Sequence, residues 1–309
     1  RIEHAHNYRS YLRDSTLGRC VRDQREELIG EMRDLIIGAV PQMDGPTREE
    51  GLQKWMKDSF DRWSSLIDPL QEGAGPRFPH GYYNFAYEIL GERRQVSVAQ
   101  LPEVLQRSVV RHTGWPPFWY PTREGIAPYP FDGAVECWLG GDATVPIDHR
   151  NPADSDFWRI SPYGLAFLLR GYQEDGDDSR RAGLVGENFG TRFDINLPIW
   201  RSGETLLQAE RLAAHLFDGP TTIRFMAVYM GLAGRSLVSI DSRRIVSRRW
   251  VSQQDSFTGL THVDTRSIRS NLPEIVHPLL SPLYELFGFF ELRIDLVTEE
   301  LSRMRGGQF

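Results

Sequence analysis

The sequence predicts an α+β fold: a helical N-terminal region over residues 1–72, followed over 76–309 by a mixed or antiparallel sheet packed against C-terminal helices. Three observations predict it. Apolar residues before position 72 recur at helical spacing, after position 76 they alternate, and residues 270–304 return to a Leu-, Ile- and Phe-rich helical pattern. Gly73-Ala74-Gly75-Pro76 marks the boundary between the first two regimes.

In the first region Val21, Leu28, Met32, Leu35 and Ile36 form one stripe, broken at Pro41 to Pro46. Thr47 stands three residues before Glu50 in the pattern of a capping box, where each side chain takes a free backbone N–H. Leu52, Trp55, Met56, Phe60, Trp63 and Ile67 then make a second stripe, a packing face for the rest of the chain or for a partner. Beyond the boundary, Tyr83, Phe85, Tyr87 and Ile89 share one strand face, Ser97–Arg107 reads as a short helix and Gly133–Leu139 as a strand. Pro162 and Gly164 suit the second and fourth positions of a type I turn, so 156–172 reads as a hairpin, with a helix over 164–170 as the alternative. Phe193, Ile195, Leu197 and Ile199 alternate as a strand, a helix follows Ser202, and Thr221–Met230 returns as a strand. Further strands are expected near 236–240 and 256–265.

Composition narrows the function classes. A chain of 309 residues can bury a large core, and its net charge of −6 opposes wholesale binding to nucleic acid, leaving room for a local basic patch. Cys20 and Cys137 are the only cysteines and do not read as a disulfide framework, which predicts a reducing, cytoplasmic compartment. No run approaches the ~18 apolar residues of a membrane span. The opening Arg1-Ile2-Glu3-His4 reads as cut from a longer chain.

The usual catalytic signatures are missing: no Gly-x4-Gly-Lys loop, no Gly-x-Gly-x-x-Gly, no Gly-x-Ser-x-Gly, no His-Glu-x-x-His and no Cys-x-x-Cys. No cofactor, metal or catalytic residue is therefore expected. His4 and His6 lack companions for a metal, and Asp175, Asp177 and Asp178 break calcium-loop spacing and read as a solvated acidic turn. Cys137 falls mid-strand and reads as a buried, inert thiol.

The positive signal is the stretch from His112 through Trp115-Pro116-Pro117-Phe118-Trp119-Tyr120-Pro121 and Arg123 to Trp138. Prolines stiffen it, and a rigid display of Trp and Tyr loses little entropy on binding. The same rings could instead plug the end of a sheet. Candidate binding residues are Trp115, Trp119, Tyr120, Arg123, Glu136, Trp138, Asp156, Trp158, Arg159 and Arg170. Arg170, in an apolar setting, calls for a buried partner charge, and Glu136 is the expected one. A second patch, Arg243, Arg244, Arg248 and Arg249 beside Trp250, is either a phosphate contact or a solvated edge.

Five blocks carry a resemblance: Arg77-Phe78-Pro79-His80-Gly81, Thr113-Gly114-Trp115-Pro116-Pro117, Ser155-Asp156-Phe157-Trp158-Arg159, Leu169-Arg170-Gly171-Tyr172-Gln173-Glu174-Asp175 and Asn271-Leu272-Pro273-Glu274-Ile275-Val276. Over about 76–304 the chain resembles long bacterial proteins that begin with a Schlafen-type, AlbA-like nucleic-acid-processing domain. That domain's Glu-Phe-Lys and Asn-x-x-Gly-Gly signatures do not occur here. The resemblance thus implies a C-terminal companion module of an effector domain or subunit, and no active-site residue. Three functions stay open: a non-catalytic sensing or interaction module of a bacterial system such as antiviral defence, a hydrolase acting on a nucleotide or nucleic acid through Glu136, Asp156 and Arg170, and an oligomerisation domain using the stripes at 21–36 and 52–67.

Overall fold

A computed structural model describes residues 48–70, 77–139, 155–176, 189–239, 250–288 and 290–308. The stripe at 21–36, Thr47, the Gly73–Pro76 boundary, Asp154, Asp177, Asp178 and the arginines at 243, 244, 248 and 249 lie outside them. Leu52–Phe309 forms one compact unit.

The fold is α+β, with a seven-stranded antiparallel sheet and five helices among the described residues. Helix α1 (Arg48–Ile67) presents Leu52, Trp63 and Ile67 to the sheet, with Trp55, Met56 and Phe60 on the flanks. Its outer side carries Lys54–Asp58 and Lys57–Asp61 ion pairs one helical turn apart. Burial of the three inward side chains favours docking by about 1.5–3 kcal/mol each. The second predicted stripe is therefore used within the unit.

The sheet strands are β1 (Tyr82–Arg93), β2 (Tyr129–Phe131), β3 (Ala134–Trp138), β4 (Asp156–Ile160), β5 (Leu165–Gly171), β7 (Phe217–Met230) and β9 (Ser256–Asp264). Their order across the sheet is β2-β3-β4-β5-β1-β7-β9. Alternation along β1 sends Tyr83, Phe85, Tyr87 and Ile89 into the larger core. There they meet α2 (Leu101–Ser108), α3 (Leu197–Leu216), α4 (Leu272–Glu285) and α5 (Ile294–Arg305). Ala86, Phe157, Phe167 and Met226 face the opposite way, under α1. The hairpin β4–β5 turns as expected: Gly164 N donates to Ser161 O at 3.2 Å, and Gly164 takes φ 82°.

One predicted element is corrected. The strand expected over 193–199 is only β6 (Arg192–Asp194), and α3 begins at Leu197 rather than after Ser202. Pro198 sits in the first helical turn, where its missing N–H is harmless, and the Asp194 carboxylate accepts from the N–H groups of Asn196 (2.7 Å) and Leu197 (3.0 Å). The alternating apolar residues thus belong to a strand end, a cap and a helix start. β6 pairs in parallel with β8 (Ser236–Val238) in a separate two-stranded sheet, so it is not a neighbour of β7.

Two glycines let β1 and β7 meet tightly at one end. At Gly81 (φ 126°) a Cβ would lie 2.4 Å from Met230 O, and at Gly231 (φ 76°) it would lie 2.6 Å from Gly81 Cα. Arg235, fully buried, ties this corner together. It pairs with Asp175 through Nη1 (3.1 Å) and Nη2 (2.5 Å) and donates to the carbonyls of Gly231, Arg192 and His80. Its guanidinium lies 4.3 Å from the centre of the Tyr172 ring. Asp175 is therefore a buried structural acid, which corrects the expected solvated turn; the reason is Arg235, sixty positions away, whose five bonds satisfy both charges.

Candidate functional site

The β3–β4–β5 register sorts the candidate residues onto two faces. Asp156 lies opposite Arg170, and Glu136 lies opposite Arg159. Because the sheet repeats every two residues, Asp156 and Arg170 point toward the helices of the large core, while Glu136 and Arg159 point toward α1. The expected Glu136–Arg170 pair is thereby corrected: the two side chains are on opposite sides of the sheet. The constellation of Glu136, Asp156 and Arg170 suggested for a hydrolase does not converge.

On the α1 side, Arg62 grips Glu136 through Nη2 at 2.7 Å and Nε at 3.1 Å. Arg159 Nε stands 3.3 Å from the same carboxylate but out of hydrogen-bond alignment, and its guanidinium lies over Trp55. Burial, then the Glu136 charge, pushes the Tyr129 hydroxyl's pKa up, and burial lowers that of Arg159. Trp138 is half-buried on this face. This cluster fastens α1 to the sheet.

On the other side, Asp156 is the hub. Its carboxylate takes Arg170 Nε at 2.5 Å, a second bond from Arg170 Nη2, and Trp115 Nε1 at 2.7 Å. Burial alone would lower the Arg170 pKa, but the Asp156 charge and hydrogen bonds raise it overall, so the guanidinium stays charged. Arg170 Nη2 also donates to Pro116 O at 3.0 Å. Arg201, from α3, donates to Trp115 O (2.7 Å), Thr113 Oγ1 (2.8 Å) and Gln173 Oε1 (3.2 Å). Fully buried Glu204 accepts from His112 N, Thr113 N (2.9 Å) and Thr113 Oγ1 (2.6 Å). The first part of the Trp/Pro-rich stretch, residues 112–116, is thus bolted to charges on β4, β5 and α3. Phe118 adopts φ 50°, which a bulky residue takes only when its surroundings hold it; its ring packs edge-on against Tyr87 and Trp158.

The loop's rings divide between core and pocket. Pro116, Pro117 and Phe118 are buried, whereas Trp115, Trp119 and Tyr120 are half-buried against the core. Trp119 O accepts from buried Trp158 Nε1 at 2.9 Å, and the Trp115 and Trp119 rings meet edge-on at 5.1 Å. Arg123 is exposed beyond the loop. Trp115 and Arg170 are the predicted residues that line a pocket, together with Tyr83, Tyr172, Glu174, Phe193, Arg201 and Tyr229.

No family model, curated protein or solved structure matches this chain. The chemistry of the pocket therefore rests on its own residues. It encloses about 420 Å³ out to its mouth, of which about 30 Å³ admits the centre of a water molecule. That is room for about two waters. Five aromatic rings line it, together with the charged side chains of Arg170, Arg201 and Glu174. Burial, reinforced by the nearby Asp194 charge, pushes the Glu174 pKa up to about 7. Among the described residues the buried Tyr229 and Ser202 hydroxyls face only each other, close but poorly aligned, and burial raises the Tyr229 pKa. Sequence reading missed Arg201, Glu204, Glu174 and Tyr229. Arg201 follows Ile199 and Trp200, the only local hint of burial, whereas Glu174 stands between Gln173 and Asp175 and gives none.

Cys137 is buried, with its pKa raised by burial and by the Asp156 and Glu136 charges, as an inert thiol should be. Among the described residues no group of three metal-ligating side chains converges, and no helix is long and apolar enough to cross a membrane.

Proposed function

We propose that this chain is a non-catalytic ligand-sensing module, with the pocket beside Trp115 as its receptor and the 112–121 loop as the element that moves. One observation carries the reading: an aromatic-walled slot lined by Trp115, whose loop is held there chiefly by charge-assisted bonds to Asp156, Arg170, Arg201 and Glu204. With about 30 Å³ open to water centres, a ring-sized ligand enters only by displacing the Trp115 indole. Displacement breaks the Trp115–Asp156 bond and frees Arg170 Nη1 and Arg201 Nη1 from Trp115 O to meet an acceptor on the ligand. Arg170 and Arg201 are committed to positioning the loop and Glu174 to accepting from Asp194 N, which favours sensing over hydrolysis. The resemblance to companions of Schlafen-type domains suggests a bacterial, cytoplasmic effector as the recipient of that movement.

The test is ¹⁹F NMR of protein carrying fluorotryptophan, read at Trp115 while phenol, benzoate and nucleosides are titrated. The expected result is a saturable shift at Trp115 for at least one ring-bearing probe, lost in Tyr229→Leu. A Trp115 signal indifferent to every probe, in protein that still melts cooperatively, sinks the sensing role.

A further inference from the structure

A second site lies at the far end of the same loop, independent of the pocket above. His112, at the loop's start, faces a hollow formed with Arg211 of α3, Arg269 just before α4 and Arg305 at the end of α5, over an apolar floor of Val110 and Leu207. The hollow leaves about 230 Å³ open to water centres, less than a drug-sized site but ample for a phosphate group. Arg211 and Arg269 also line a neighbouring hollow, with about 260 Å³ open to water centres, that contains Arg266 and His215.

The charges there are arranged unlike the buried arginine–carboxylate pairs of the core. Arg170 and Arg235 each close on a buried carboxylate. Arg211 instead donates Nη1 to Val109 O at 2.5 Å, and Arg305 donates Nη2 to Arg269 O at 3.0 Å. Neither has a carboxylate partner among the described residues, and Arg269 alone is matched, by Glu210 at 2.8 Å. Three guanidiniums therefore share one rim carboxylate, and the backbone bonds hold two of them in place with N–H groups to spare. The His112 ring has no hydrogen-bond partner among the described residues. Burial lowers its pKa, the Glu204 charge opposes this, and the Arg211 and Arg305 charges lower it further. Guanidinium forks with an imidazole beside them match the tetrahedral oxygens of a phosphate, and fixed forks lose little freedom on binding it.

We infer that this hollow binds a phosphate-bearing small molecule, its phosphate held by Arg211, Arg305, Arg269 and His112 and its organic part lying on Val110 and Leu207 or in the adjoining hollow. A small ligand is favoured over a nucleic-acid strand because the protein carries a net charge of −6 and the site is a bounded hollow.

Inorganic phosphate and AMP are titrated separately by calorimetry at low ionic strength, with His112 followed by NMR. Saturable binding is expected, with phosphate raising the His112 pKa, since an added anion favours the imidazolium. If AMP binds several-fold more tightly than phosphate, a phosphomonoester is the ligand; equal binding points to free phosphate. Arg211→Gln and Arg305→Gln are each expected to weaken binding about tenfold, while Lys54→Gln on α1 leaves it unchanged. Arg305 is exposed, so its replacement keeps the test alive should Arg211→Gln unfold. No saturable binding of either probe, unchanged affinity in both arginine variants, or a single-stranded oligonucleotide binding where neither small probe does, would each overturn the assignment.

Discussion

Removing the Asp156 carboxylate is the sharpest perturbation available. In Asp156→Ala, Arg170 keeps its place in a site where its side chain is 3% exposed, but loses both bonds to the one carboxylate that pairs with it among the described residues. An uncompensated buried charge of this kind destabilises by about 3–5 kcal/mol, and orphaning Trp115 Nε1 belongs to the same loss. For a unit of this size, that corresponds to a drop in Tm of roughly 6–20 °C. The assay is urea unfolding of wild type, Asp156→Ala, Arg170→Met and the double variant, followed by circular dichroism. Because replacing both partners removes the stranded charge, the double variant is expected to be less destabilised than the sum, with a coupling of about 2–3 kcal/mol. Asp156→Ala costing under about 1 kcal/mol, or a coupling under about 0.5 kcal/mol, would refute the view that this pair is a closed, buried unit.

The remaining predictions concern three other points in the fold. Glu136→Ala leaves Arg62 and Arg159 facing each other and is expected to cost about 3 kcal/mol, against about 1 kcal/mol or less for partly exposed Arg62→Ala; equal losses in urea melts would contradict the shared-carboxylate picture. Glu174, with a folded pKa near 7 against an ordinary 4.5, binds its proton more tightly folded than unfolded. The stabilisation it contributes is full below pH 4.5 and is lost as pH rises through 7, on the order of 3 kcal/mol; Glu174→Gln should flatten that limb of the stability–pH profile, and an unchanged limb would count against it. Gly81→Ala would place a Cβ 2.4 Å from Met230 O at φ 126°, so a loss exceeding about 3 kcal/mol is expected from thermal melts, and a near-neutral substitution would mean the strand ends separate freely.

What could be read from the residues alone follows from short-range physics. The alternation of Tyr83, Phe85, Tyr87 and Ile89, the Pro162/Gly164 turn and the stripe of α1 are local patterns, and each reappears in the structure because a pleat repeats every two residues and a helix every 3.6. Local reading failed at Leu197, where the same apolar alternation fits a strand and a capped helix start, and only Asp194 accepting from Asn196 N and Leu197 N decides between them.

The Trp/Pro-rich stretch shows the same division. Its stiffness and its ring content were legible in the sequence; which rings face the pocket was not. Every charge that positions it or the pocket finds its partner across sheet neighbours or distant helices: Arg170 with Asp156, Arg201 with Trp115 O, Arg235 with Asp175. The α+β class and the strand faces were set by local periodicity. The pairing of Glu136 with Arg62 rather than Arg170, the burial of Asp175 and the convergence of Arg211, Arg269 and Arg305 were decided by tertiary structure, because register and packing alone choose which charges meet.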